Sequence, residues 1–90
     1  MHAVVVKVTL LDRDAAQQGL DQDVVPQVSK APGFQAGYWT WKDNTGLSMA
    51  IFDSEEAANQ TATRVRDMVG GMAGAVTLED VEVREVVAHA

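Results

Sequence analysis

The stretch Ala3–Leu10 is apolar at every position except Lys7 and Thr9. Its valines favour extended backbone, because β-branched side chains are restricted in a helix and pack well on a pleated surface. Side chains alternate across a strand, so Val4, Val6, Val8 and Leu10 form one apolar face. Ala3, Val5, Lys7 and Thr9 form the other. A strand apolar on most of both faces belongs in the middle of a sheet that is covered on both sides. The remaining residues must therefore supply its neighbours and its covers.

The neighbours are legible downstream. Phe34–Lys42 and Leu47–Phe52 read as strands joined through Asp43–Asn44–Thr45–Gly46, residues that tolerate positive φ or bond their own backbone. A four-residue loop puts Lys42 opposite Leu47, Thr40 opposite Met49 and Tyr38 opposite Ile51. The other face then pairs Trp41 with Ser48 and Trp39 with Ala50, large against small, as a packed layer or a pocket wall requires. A last strand runs from Val76 or Leu78 to Ala88, with Val81, Val83 and Val87 on one face.

Two helical stripes supply the cover. Leu20, Val24 and Val28 recur at i, i+4 and i+8 behind a start capped by Asp12 or Asp14, and Asp14 with Gln17 has capping-box spacing. Pro26 lacks a backbone donor, which predicts a kink near Gln22–Pro26 or a break there. Ala31–Pro32–Gly33 ends this helix. Asp53 and Ser54 open the second, with Glu55 and Glu56 near its positive end. Ala58, Ala62, Val65 and Val69 make its buried stripe, and Gly70–Gly71 closes it.

The order strand, helix, strand, strand, helix, strand is α+β. It predicts a ferredoxin-like βαββαβ fold with a four-stranded antiparallel sheet and both helices on one face. The second face stays partly apolar and uncovered, so a second copy of the chain is the expected cover. Ninety residues fit one domain, 1–90, with a thin core. There is no cysteine to add a disulfide or a thiolate-bound metal, which again favours a homodimer.

Composition removes several functions. The net charge is −6 and the Lys and Arg residues are scattered, so no nucleic-acid partner is expected. An anionic membrane would repel the same surface, and Ala3–Val6 is too short an apolar run to span a bilayer. Lys7 and the Asp12–Asp14 cluster follow the start too soon for a signal peptide, so the expected location is cytoplasmic.

Four stretches carry a resemblance: Val24–Val25–Pro26, Ala31–Pro32–Gly33–Phe34, Gly37–Tyr38–Trp39 and Phe52–Asp53–Ser54–Glu55–Glu56–Ala57. With them the chain resembles the dimeric α+β barrel superfamily over its whole length, and within it the antibiotic-biosynthesis-monooxygenase-like domains. The fold hosts monooxygenases, haem-degrading enzymes, isomerases and members with no known activity. Haem-degrading relatives carry a tryptophan just before the second helix's cap, a histidine within that helix and an asparagine on the first strand. Here those places hold Phe52 and Ala62, and residues 2–10 contain no asparagine. The resemblance therefore implies that haem degradation is not its role, and no cofactor is expected. It places Phe52 against the space between sheet and helices where relatives bind ligands, with Ala50, Ser48, Trp39 and Trp41 on the same side by alternation.

Trp39, Trp41, Ser48 and Phe52 are thus the candidate wall of a pocket for a small apolar or aromatic ligand. The competing use of the tryptophans is to fill a thin core or a dimer seam. Tyr38, on the opposite face, suits a structural role in the dimer interior. His2 and His89 are the only imidazoles. Pairing Lys7 with Glu85 sets His2 opposite Ala90 and turns His89 away, which leaves both as terminal residues. Lys7, Arg84 and Glu85 suit a solvated or dimer-bridging ion pair. No histidine accompanies Ser48, Asp53, Glu55 or Glu56, so neither a nucleophile nor a metal site is read there. Met49, Met68 and Met72 read as packing.

Two functions follow from the same pocket. One is a cofactor-free monooxygenase or related enzyme acting on a small apolar or aromatic molecule. The other is a non-catalytic homodimeric binding or accessory module, since no acid–base or metal constellation is evident.

Overall fold

In the computed structural model, which describes residues 1–90, β1 (His2–Leu10) lies inside a four-stranded antiparallel sheet. It is flanked by β3 (Thr45–Phe52) and β4 (Val76–Glu85), with β2 (Phe34–Lys42) on the far side of β3. The central position follows from its two apolar faces. Val4, Val6 and Leu10 enter the core under the helices, and Ala3 and Val5 are buried on the opposite side.

The first crossover is one helical stretch in three parts: α1 (Arg13–Gly19), a π-helical turn (Leu20–Val24) and α2 (Val25–Ser29). Asp12 is the cap, its Oδ1 accepting the Ala15 N–H at 3.1 Å. Asp14 lies inside the first turn, so the Asp14–Gln17 capping box is not formed. The Pro26 problem is solved by the π turn. It ends with the Val25 N–H donating to the Leu20 carbonyl, one residue before the ring that cannot donate. The backbone stays right-handed through Leu20, Val24 and Val25, so the helix changes pitch where a break was the other possibility. Leu20, Val24 and Val28 still share the core-facing side.

β2 and β3 join through Asp43–Asn44 alone. Asp43 takes a positive φ of 54°. The strands close two residues tighter than a four-residue loop allows. Lys42 faces Thr45, Thr40 faces Leu47, Tyr38 faces Met49, Trp41 faces Gly46 and Trp39 faces Ser48. The slip is two positions, one full pleat period, so no side chain changes face. A bulge between Phe34 and Ala36 brings Phe34 onto the core side. There its ring meets Phe52 edge-on, with centroids 5.9 Å apart and planes at 76°, a favoured aromatic geometry.

Ser54 caps α3 (Glu55–Gly70), its Oγ accepting the Ala57 N–H at 3.2 Å. Ala58, Ala62, Val65 and Val69 are buried against the sheet, as their spacing requires. β4 ends at Glu85, three residues before the expected end, and Val87 is exposed. A bulge near Glu79 sets the β1–β4 register, so Lys7 faces Asp80 and His2 faces Glu85. This replaces the expected Lys7–Glu85 and His2–Ala90 pairings. No helix is long and apolar enough to cross a membrane.

Candidate functional site

Between the sheet and the 13–29 helical stretch lies a cavity of about 60 Å³, partly open at one side. One water needs roughly 10–15 Å³ on this measure, so the cavity has room for a few waters. A flat ring enters only as the half-buried Leu20, Met72 and tryptophan side chains at its rim move aside. Methionine does so readily.

The sheet side of the wall is built by alternation. Trp39, Trp41, Gly46, Ser48 and Ala50 line it from β2 and β3, and Val4 and Val6 from β1. Close approach explains two glycines. A Cβ on Gly46 would lie 2.7 Å from Val8 and 3.2 Å from Trp41, and one on Gly37 would lie 2.8 Å from the Trp39 ring. The Trp39 ring therefore occupies the space that a side chain at position 37 would fill, and the Trp41 ring crowds that of position 46. Above Trp41, the Arg13 guanidinium carbon stands 5.3 Å from the ring centroid, within cation–π range. Helix side chains Leu20, Val24, Val28, Thr61 and Val65 complete the enclosure.

Three of the four residues expected in a pocket wall, Trp39, Trp41 and Ser48, line this one cavity. The fourth does not. Phe52 shares their face but has 0% exposure, sealed by Phe34 near the far end of β3, outside the lining. Alternation sets a residue's face; how far the packing reaches along the strand sets whether it meets a void.

Thr61 and the Arg13–Trp41 stack are not anticipated by the sequence reading. Thr61 was within its reach, at i+3 from Ala58 on the same buried stripe. Arg13 and Trp41 lie on separate elements, and only the crossover brings them together.

The chemistry of the wall is narrow. Sixteen of its twenty residues are hydrophobic, and the others are Thr40, Gly46, Ser48 and Thr61, so no charged side chain faces the cavity. Elsewhere, His2 Nε2 lies 3.3 Å from Glu55 Oε2, and its buried Nδ1 has no partner. The expectation of a frayed terminal His2 is corrected here: β1 holds it beside the α3 N-terminus, across from Phe52 and Glu85. His89 lies past the end of β4. No three His, Cys, Asp or Glu side chains are grouped to hold a metal ion. The ion pair of the Lys7–Arg84–Glu85 group forms instead between Arg84 and Glu82, at 3.1 Å.

Fold and cavity together define a class, the ferredoxin-like α+β domains with a void between sheet and helices. Neither a family profile nor a curated protein sequence matches the chain. Solved structures do match it. SnoaB from Streptomyces nogalater, a cofactor-independent oxygenase, superposes with a TM-score of 0.75 at 14% identity, over 98% of this chain and 94% of its own. A protein of unknown function from Nitrosomonas europaea gives 0.79 at 15%, over 99% and 91%. A proposed antibiotic biosynthesis monooxygenase from Deinococcus radiodurans gives 0.72 at 14%, over 100% and 95%. The chain spans 65% of the length of MupZ from Pseudomonas fluorescens. The chain shares with these structures the ferredoxin-like α+β fold. At these identities the similarity concerns the backbone and assigns no activity.

Proposed function

We propose that the chain works as a homodimer which binds a small apolar or aromatic molecule in the sheet–helix cavity and promotes its oxidation by dioxygen without a cofactor. The observation behind this is the wall itself. Two indoles lie on one sheet face opposite aliphatic helix side chains, and no charged residue lines the cavity, Arg13 being stacked on the Trp41 ring. Such a lining favours flat, neutral ligands and disfavours ions. The likeness in fold to a cofactor-independent oxygenase motivates the reaction class. In such a reaction the substrate's own electron-rich ring reacts with dioxygen, and the protein supplies orientation and a dry site.

The homodimer rests on the uncovered sheet face. Tyr38, Leu47 and Met49 stand there 67%, 50% and 44% exposed, in adjacent register positions. An apolar patch of this kind favours an apposed partner, and a second copy brings a matching one.

A second reading is a non-catalytic binding or accessory module. It is favoured by the wall's lack of a titratable side chain, because general acid–base catalysis needs one within hydrogen-bond reach of the reacting atoms.

The chain's two tryptophans both stand at the cavity, so their emission reports on it. Titration with 1,4-naphthoquinone is expected to quench that emission saturably, and Trp39→Ala and Trp41→Ala each to weaken binding when followed by calorimetry. Unchanged binding in both variants removes the cavity from the function. Dioxygen uptake with a hydroxylated polycyclic substrate then separates the two readings. Saturable binding without uptake leaves the binding module.

A further inference from the structure

Met72 lines the cavity and is only half-buried, so its side chain stands at the boundary between cavity and solvent. It lies on Gly19. A Cβ at position 19 would stand 2.6 Å from the Met72 Cε, 3.3 Å from its Sδ and 3.8 Å from its Cγ. The thioether thus runs along bare helix backbone that a side chain would obstruct. The backbone itself does not ask for glycine there. Its φ of −62° and ψ of −40° are ordinary right-handed helix, where glycine costs about 1 kcal/mol against alanine. Gly19 does not line the cavity, whereas Leu20, which follows it in the π-helical turn, does.

The chain around Met72 is tied down. Its N–H donates to the Val69 carbonyl at 3.0 Å, and its carbonyl accepts from the Ala75 and Val76 N–H groups at 2.9 and 3.2 Å. The Ala75 carbonyl in turn accepts from Leu11 and Asp12. Motion at this point therefore belongs to the side chain, and an unbranched thioether changes rotamer easily. The tryptophans at the rim are held more firmly, against Gly37 and Gly46 and, for Trp41, beneath Arg13.

We propose that Met72 is the gate of the cavity, shut when its thioether rests on Gly19 and open when it swings off. This rests on the cavity being the binding site. Such a gate sets rates and not affinity. With the mouth open for only part of the time, entry and exit slow by the same factor, and the dissociation constant stays where the wall sets it.

The test is stopped-flow tryptophan fluorescence with 1,4-naphthoquinone on the whole chain, on Gly19→Ala and on Met72→Ala. Gly19→Ala keeps every lining residue, and its methyl meets only the free end of a flexible side chain. It is expected to raise the association and dissociation rate constants together, by about tenfold, with Kd unchanged. Met72→Ala is expected to raise both at least as much. Unchanged rate constants in both variants, or a rise confined to dissociation, overturns the gate, the second because it reports lost wall contact alone. Acrylamide quenching of Trp39 and Trp41 tests the gate without a ligand and is expected to be stronger in both variants than in wild type. Quenching equal to wild type in both overturns it. If 1,4-naphthoquinone fails to bind wild type, the binding reading falls, and acrylamide quenching by itself decides the gate.

Discussion

Val6 sits on the helix face of β1, between Ser48 on β3 and Val81 on β4, in full contact with the core. A carboxylate there has no cationic partner and faces an almost wholly apolar surrounding. Val6→Asp is expected to lose on the order of 4–5 kcal/mol, most of what a domain this small possesses. Urea titration followed by circular dichroism checks it, and a retained cooperative transition would contradict the central placement of β1. The shared side of Trp39, Trp41 and Ser48 was legible because alternation has period two and the hairpin slipped by two. A slip of one would have set the two tryptophans and Ser48 on opposite faces of the sheet. Phe52 shows the limit of the same rule, since its face was predictable and its isolation from the void was not.

At the scale of elements, the two carboxylates near α1 do different work. Asp12 accepts a backbone N–H as the cap, while Asp14 only lies in the first turn. Asp12→Ala is expected to cost about 1 kcal/mol and Asp14→Ala less, so thermal melts should rank the two, the first shifted by about 4–8 °C. The reverse order would assign the cap to Asp14. Pro26 sets a second expectation. With the π turn already absorbing its missing donor, Pro26→Ala regains a helical N–H and loses a restraint on the unfolded chain. The two effects oppose, and a melting shift under about 5 °C is expected. A large drop would mean that the proline ring itself anchors the turn. Sequence located this irregularity but left its form open, because a missing donor can be met by a kink, a break or a change of helical pitch.

For the whole molecule, the exposed face around Met49 makes the difference between one copy and two. Sedimentation of wild type at micromolar concentration is expected to give twice the 9.7 kDa chain mass. Met49→Glu places like charges across any two-fold seam that contains it and is expected to give the chain mass with an unchanged circular dichroism spectrum. A wild-type species at the mass of a single chain would end the dimer proposal.

The element order, the central place of β1, the two buried helix stripes and the common side of the tryptophans came from residue pattern alone, because period and propensity are local properties of the chain. The two-residue turn, the β1–β4 register, the early end of β4 and the place of Arg13 over Trp41 did not. Each depends on which of several locally acceptable pairings lets both strands and helices close on one core. The cavity belongs to the same group: it is the space left when that closure is complete, and it brings Ser48 and Thr61, thirteen residues apart, to facing walls.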